Sequence, residues 1–404
     1  MYQWGGVPPL VMLGLLCILS LEPIRSRFYE SFYRVHILLA ITYFGLLFWH
    51  AGNVLDSWHY LYATMAVWLS SWLARTFWYT RPLNIQNAWF EGSSAKMTPR
   101  SGGMTEIELL APMGFKFSPM QHCFLRVPKI AWLGNHPFTI CTSHVSPTIE
   151  EKKQGIDSHQ QTLVFLIRTH SGFTKKLSSF ASAHPGNQLS IWVEGPYGGL
   201  SRHIELAYDN LILIAGGGGI TACLPWLSFL AQRVAKDALS SVRIRRVNLF
   251  WTVKSSKHLD WASRMLEEEF ATLSRSIKIQ ISFHITGESS EGGTNKRTLS
   301  KSNNSEQASD DKITSEADIR EMEAQQSGDT SVYPDVSTFG TVSYGRHSVG
   351  DYLSNVDLEG RNFVIGCGPA SLRSDVANAC AVQQKSVLKG RSREIALHLE
   401  EFGW

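Results

Sequence analysis

Two histidines, His36 and His50, lie inside the apolar run RVHILLAITYFGLLFWHAG from Arg34 to Gly52. On a helix advancing about 100° per residue, the second side chain returns to within about 40° of the first. At ~1.5 Å per residue the two imidazoles stand ~21 Å apart along the axis. Such a helix presents one ring near each edge of a hydrocarbon layer ~30 Å thick. Neutral imidazole is a common metal ligand, and ionisable residues inside an apolar span are rare and usually functional. One reading is ligation of two stacked haems, one per leaflet, with electrons passing between them. The other is a helix with two interior histidines bonded to neighbours.

A second chemistry is written around glycine. The apolar strand DNLILI, 209–214, runs straight into Ala215-Gly216-Gly217-Gly218-Gly219-Ile220-Thr221 and an apolar helix. Strand, glycine loop and helix in that order hold a pyrophosphate on a helix N-terminus, where a Cβ would keep the phosphate off the backbone. The pattern is not GxGxxG, which disfavours an ordinary Rossmann dehydrogenase. The next strand, Arg246 to Val253, ends in Lys254-Ser255-Ser256-Lys257. A reader of the ribose 2′-hydroxyl would be Asp or Glu there. Cationic and hydroxylic groups favour a 2′-phosphate instead, hence NADPH; a solvated loop is the alternative. Gly366-Cys367-Gly368-Pro369 follows another strand and sets a thiol in a tight turn where a nicotinamide can lie. The chain stops at Glu400-Glu401-Phe402-Gly403-Trp404, whose terminal Trp404 can stack on an isoalloxazine ring.

Two motifs lie between these chemistries. His136-Pro137-Phe138-Thr139 opens a strand and can set a flat ring against a flavin with a hydroxyl near its N5. About 35 residues on, Gly172-Phe173-Thr174-Lys175-Lys176 opens a helix, offering N–H groups and positive charge to a diphosphate. Gly172, Thr174 and Lys175 would carry that contact; any basic helix start looks similar.

The elements that position these groups divide the 404 residues into unlike parts. Residues 1–80 are apolar and aromatic, with three expected spans: one in Met1–Leu21 (or a signal peptide), one from about Phe32 to Val54, one from about Trp58 to Phe77. Arg25, Arg27 and Arg34 flank the second on one side, and Arg75, Arg81, Lys96 and Arg100 follow the third, while Ala51–Ser57 holds no Lys or Arg. Positive-inside then puts the soluble part in the cytoplasm. Residues 81–203 read as short alternating strands of a small antiparallel barrel. Residues 204–404 read as an α/β domain interrupted at 287–330 by a polar stretch with no apolar periodicity, a disordered insertion. The net charge of +3 does not point to nucleic acid. Six cysteines without CxxC spacing give neither a zinc site nor a disulfide scaffold.

The ordered set resembles the fungal ferric reductases, flavocytochromes of the wider family that includes the NADPH oxidases. The resemblance rests on Pro23-Ile24-Arg25, Tyr29-Glu30, the His36/His50 helix, HPFT, GPYGG (Gly195–Gly199), AGGGGIT, GCGP and the terminal EEFGW, and covers nearly all but 287–330. It implies an α-helical membrane segment, an antiparallel β-barrel FAD domain and a Rossmann-like NADP domain of the ferredoxin-NADP reductase type. It implies haem b on His36 and His50, FAD on His136–Thr139 and the 172–176 stretch, NADPH on Gly216–Thr221 and Gly366–Pro369, and Trp404 as a flavin shield. The implied activity is a plasma-membrane ferric or cupric reductase, multi-pass, with electrons leaving NADPH through FAD and haem for a metal ion or chelate outside. A superoxide-producing oxidase, a non-catalytic partner of a full-length relative (or a self-associating chain) and a haem-free diaphorase are the rivals. The family has about six helices and a second histidine pair on an earlier one; neither lies in these residues, and a shortened sequence is the expected cause.

Overall fold

The computed structural model describes residues 5–27, 29–74, 92–111, 115–131, 134–144, 161–236, 242–288 and 335–401. The chain forms two compact units, one mainly of residues 1–92 and the other mainly of 93–401.

The first unit is helical: α1 (Val7–Leu19), α2 (Glu22–Arg27), α3 (Tyr29–Ala51) and α4 (Ser57–Ala74). Pro8 and Pro9 fall in the first turn of α1, where a missing N–H costs nothing. Three spans were expected; among the described residues one helix, Ser31–Ala51, is long and apolar enough to cross a membrane. The 13 residues of α1 reach only ~20 Å against a core of ~30 Å. In α4, Ser57, His59, Thr64, Ser70 and Ser71 dilute the apolar run.

In the second unit, β1 (Ser93–Arg100), β2 (Met104–Leu110), β3 (Gln121–Arg126), β4 (His136–Thr139), β5 (Thr162–Arg168) and β6 (Gln188–Gly198) form one sheet. Its order is β4-β3-β6-β1-β2-β5, and the pairs β1–β2, β1–β6, β2–β5 and β3–β4 are antiparallel. Cys141, just past β4, donates its N–H to Val164 of β5 at 2.8 Å, so the two edges meet and the sheet closes. Closure removes the unpaired edges of an open sheet. Helix α5 (Gly172–Ala183) follows β5.

After the short α6 (Ile204–Ala207) come β7 (Asn210–Gly216), α7 (Ile220–Ala235), β8 (Arg246–Val253), α8 (Ser263–Leu273), β9 (Lys278–Ile285), β10 (Thr341–Tyr344), α9 (Val349–Asn355), β11 (Arg361–Cys367), α10 (Ala370–Leu388) and β12 (Glu394–Glu400). The six strands form a parallel sheet in the order β10-β9-β8-β7-β11-β12. The continuous apolar run of β7 now has a cause. Leu211, Leu213 and Ala215 pack in one core with Ile220, Leu224 and Leu227 of α7. Ile212 and Ile214 pack in the other with Val376 and Cys380 of α10. Both faces are covered, so both must be apolar. Each fully buried Ile or Leu contributes roughly 1.5–3 kcal/mol.

The chain leaves β7 outward through β8, β9 and β10, then returns to β11 on the other side of β7. That reversal is the switch point at which open α/β sheets bind ligands, beyond the carboxyl ends of the strands.

Candidate functional site

Two glycine turns converge at the switch point. β7 and β11 are paired in parallel, with Ala215 opposite Cys367. Their C-terminal turns therefore lie side by side. A Cβ on Gly219 would sit 2.2 Å from the Cys367 carbonyl oxygen, and one on Gly216 would sit 2.6 Å from Leu372 Cδ2 and 2.9 Å from Pro369 Cδ. Gly368, at φ +154°, approaches Gly216 to the same end. Gly218 faces open space, with nothing within 4 Å of its Cβ position, and Gly217 takes a left-handed φ of +54°. The four glycines thus divide their work. Gly216 and Gly219 let two turns touch; Gly217 and Gly218 leave backbone open beside the start of α7. The loop is pinned by Trp251 Nε1, which donates to Gly217 O at 2.9 Å, and by Thr221 Oγ1, which donates to Gly218 O at 3.1 Å. A 16-residue helix start without a side-chain cap fits an anionic diphosphate.

Arg168, the last residue of β5, brings its Nη1 to 3.8 Å from the Cβ position of Gly217. Crowding lowers its pKa by desolvation although its side chain is exposed by area. Sequence reading missed it, because an Arg at a barrel strand end carries no local signal.

Cys367 is fully buried, and burial first, then Cys223 and Glu400, push its thiol pKa up. The thiol is therefore neutral. Beside it, β12 runs parallel to β11 with Glu400 opposite Cys367. Glu400 Oε2 pairs with His398 Nε2 at 3.0 Å. It also lies close enough to His122 of β3 to oppose the lowering of that ring's pKa by burial. Trp404 lies outside the described residues.

On the barrel, His136–Thr139 is β4, half-buried along its length and paired with β3, Phe138 opposite Cys123. The His136 ring stacks on Phe173 at 4.1 Å and 17°, and Phe138 lies 6.3 Å from the same ring. Phe173 is the second residue of α5 and 3% exposed. One buried ring joins the two motifs that sequence placed far apart. Gly172 takes φ +57°, a conformation that favours glycine. Ser171 makes no side-chain cap. Thr174 Oγ1 accepts from His170 N at 2.9 Å, and Lys175 is exposed. The uncapped helix start fits a second diphosphate.

Barrel and sheet are locked together. Trp261 Nε1 donates to Ser101 O at 2.6 Å, and Arg100 bonds Glu106 at 2.6 Å while its Nη1 lies 3.8 Å from Asp260. Burial raises the Glu106 pKa, with Arg100 opposing. Gly102, at φ +62°, packs against His258, and burial chiefly, with Arg168, pushes His258 down to about 4.

Lys254 stands one strand over, at the end of β8, beside Ser255 and Ser256. In the helical unit, Ser20 Oγ lies 3.4 Å from His36 Nδ1, and Gly6 lies against His50, its Cβ position 3.3 Å from His50 Cε1. Ser20 and Gly6 flank α1 at opposite ends, so both imidazoles face α1 and share one side of α3. They stand one per level: among the described residues no group of three or more metal-binding side chains occurs.

Three family descriptions match in order along the chain: ferric reductase like transmembrane component over residues 1–47, FAD-binding domain over 90–201, and ferric reductase NAD binding domain over 208–381. The chain belongs to the ferric reductase family. A probable cell surface ferric reductase kap2 of Aspergillus oryzae is 32% identical over 262 residues, 64% of this chain and 33% of its own length. Ferric/cupric reductase transmembrane component 7 of Saccharomyces cerevisiae is 28% identical over 412 residues, 99% of this chain and 62% of its own. Ferric reduction oxidase 7, chloroplastic, of Arabidopsis thaliana is 28% identical over 70% of this chain and 36% of its own. The chain thus spans between a third and three fifths of these ferric reductases. The closed antiparallel sheet is the family's FAD-binding domain and the parallel sheet its NAD-binding domain.

Proposed function

We propose that this chain is the electron-entry part of a membrane ferric or cupric reductase, taking electrons from NADPH through FAD and haem b to a metal ion or chelate across a plasma membrane, with the FAD and nucleotide domains cytoplasmic. The observation that carries the reading is the meeting of the Gly216–Gly219 and Gly366–Pro369 turns at the switch point of a sheet that Trp261 ties to the barrel through Ser101 O. A nucleotide would be held there, and a flavin by the barrel.

Each residue then has a task. Gly217, Gly218 and Thr221 offer the nucleotide diphosphate its backbone donors, and Arg168 adds charge. Lys254 attracts the 2′-phosphate. Cys367, neutral and buried, forms the floor under the nicotinamide; it positions and does not act as a thiolate. Gly172, Thr174 and Lys175 hold the FAD diphosphate, while Pro137, Phe138 and Thr139 line the ring, with His136 locked by Phe173. Trp404, outside the described residues, would shield a bound flavin until nicotinamide arrives. Bound FAD supplies the conversion of a hydride into single electrons. His36 and His50 would each hold one haem through an imidazole, with further ligands from another helix of this protein or of a partner.

His50→Ala tests the path. With NADPH present, cells expressing the full protein should lose surface ferric-chelate reduction, while soluble-dye reduction at the flavin persists. Undiminished ferric reduction contradicts the haem assignment. Superoxide output exceeding iron reduction contradicts the metal as acceptor.

A further inference from the structure

The β7–α7–β8 unit ends where open α/β sheets read the ribose 2′ position, at the tip of the second strand. Here that tip is Lys254-Ser255-Ser256-Lys257. It is already filled by an anion of the protein's own. Glu288 Oε1 accepts from Ser255 Oγ at 2.6 Å, from Ser256 N at 2.9 Å and from Ser256 Oγ at 3.2 Å.

The placement is built into the sheet. Past the end of β9, Thr286 N donates to Val253 O and Gly287 N to Lys254 O, both at 2.9 Å, so the chain stays bonded to the end of β8 for two residues beyond the strand pairing. A Cβ on Gly287 would meet Lys254 O at 2.4 Å, so a glycine there permits the approach. The next residue is Glu288, delivered onto the two serines. Burial raises its pKa, but the Ser255 and Ser256 donors lower it more, and the carboxyl is ionised at neutral pH.

We propose that Glu288 is an internal occupant of the 2′-phosphate subsite, an anion that NADPH must displace and NADH leaves in place. The inference rests on the nucleotide reading above. A phosphate needs the same three donors and repels the carboxylate at hydrogen-bonding range. A 2′-hydroxyl can instead donate to it. Lys254 and Lys257 attract the phosphate, and Glu288 opposes it. The residue therefore sets how far the site discriminates between the two nucleotides, and its release accompanies NADPH entry.

The test uses the full chain, FAD-loaded in detergent, titrated calorimetrically with 2′,5′-ADP and with 5′-AMP. Glu288→Gln should strengthen 2′,5′-ADP binding about tenfold, the effect of removing roughly 1.4 kcal/mol of repulsion, and leave 5′-AMP unchanged or weaker. Glu288→Ala should shift 2′,5′-ADP the same way. If both nucleotides bind but 2′,5′-ADP affinity is unchanged or falls in both variants, Glu288 is not a competitor, and the nucleotide reading stands. If neither nucleotide binds wild type or variant, the nucleotide reading fails and this inference fails with it.

Discussion

The helical unit and the parallel sheet are built from similar residues used in opposite ways. In α3, Leu38 is 68% and Ile41 62% exposed. In β7, Ile212, Leu213 and Ile214 are 0% exposed. The sheet is covered by helices on both faces, so its stability is internal. The α3 stripe gains nothing by exposure to water and is stabilised only by hydrocarbon or by other helices. The sites follow the same division. The soluble site is completed by turns that touch each other. The two histidines of α3 instead meet the flanks of α1 separately, His36 at Ser20 and His50 at Gly6.

That contrast predicts where mutations act. The largest effect should come from Phe173→Ala, which removes the ring joining β4 to α5. Loss of a buried Phe costs about 3–5 kcal/mol. The melting temperature of the soluble half should fall and FAD should dissociate, while helical content of the membrane unit is unchanged by circular dichroism. Next comes Gly219→Ala, whose Cβ would meet the Cys367 carbonyl at 2.2 Å. Overpacking of that kind costs about 1–3 kcal/mol. Gly218→Ala meets nothing and should alter stability by less than about 0.5 kcal/mol, yet weaken nucleotide binding. Equal melting temperatures for the two variants would break the proposed division of labour among the glycines.

The smallest effect is one of pH. Burial chiefly pushes His258 and His284 from 6.5 down to about 4. In the unfolded chain they take up protons near 6.5, so the folded state binds fewer protons between those values. Their stabilisation is complete above pH 6.5 and is lost as pH falls toward about 4. At about pH 6 the loss should be under about 1 kcal/mol, allowing for the partial exposure of His258. Tryptophan fluorescence of the full chain under denaturant at stepped pH measures it. Flat stability across that window would place both imidazoles in water.

Strands with clean apolar patterning were legible: β2, β3, β5, β6, β7, β8 and β11 all fall where alternation or continuous apolar runs put them. β1 was not, because SSAKMTPR shows only Ala95 and Met97 to the core and carries a proline. The glycine loop was legible as a loop, but the reason for two of its glycines was not. Their constraint comes from Cys367 and Leu372, some 150 residues away in sequence. Phe173, Arg168 and Glu288 escaped for the same reason. Each acts across elements, and a single Phe, Arg or Glu has no periodicity to betray it. Lys254-Ser255-Ser256 was read as a cationic anion site; the carboxylate that fills it arrives from a neighbouring strand.

The most direct measurement is anaerobic addition of NADPH to the FAD-loaded chain while following flavin absorbance, then addition of a ferric chelate. Flavin bleaching on NADPH and recovery on ferric chelate is the predicted result. A flavin that stays oxidised with bound NADPH would contradict the alignment of the two glycine turns with the barrel on which the account depends.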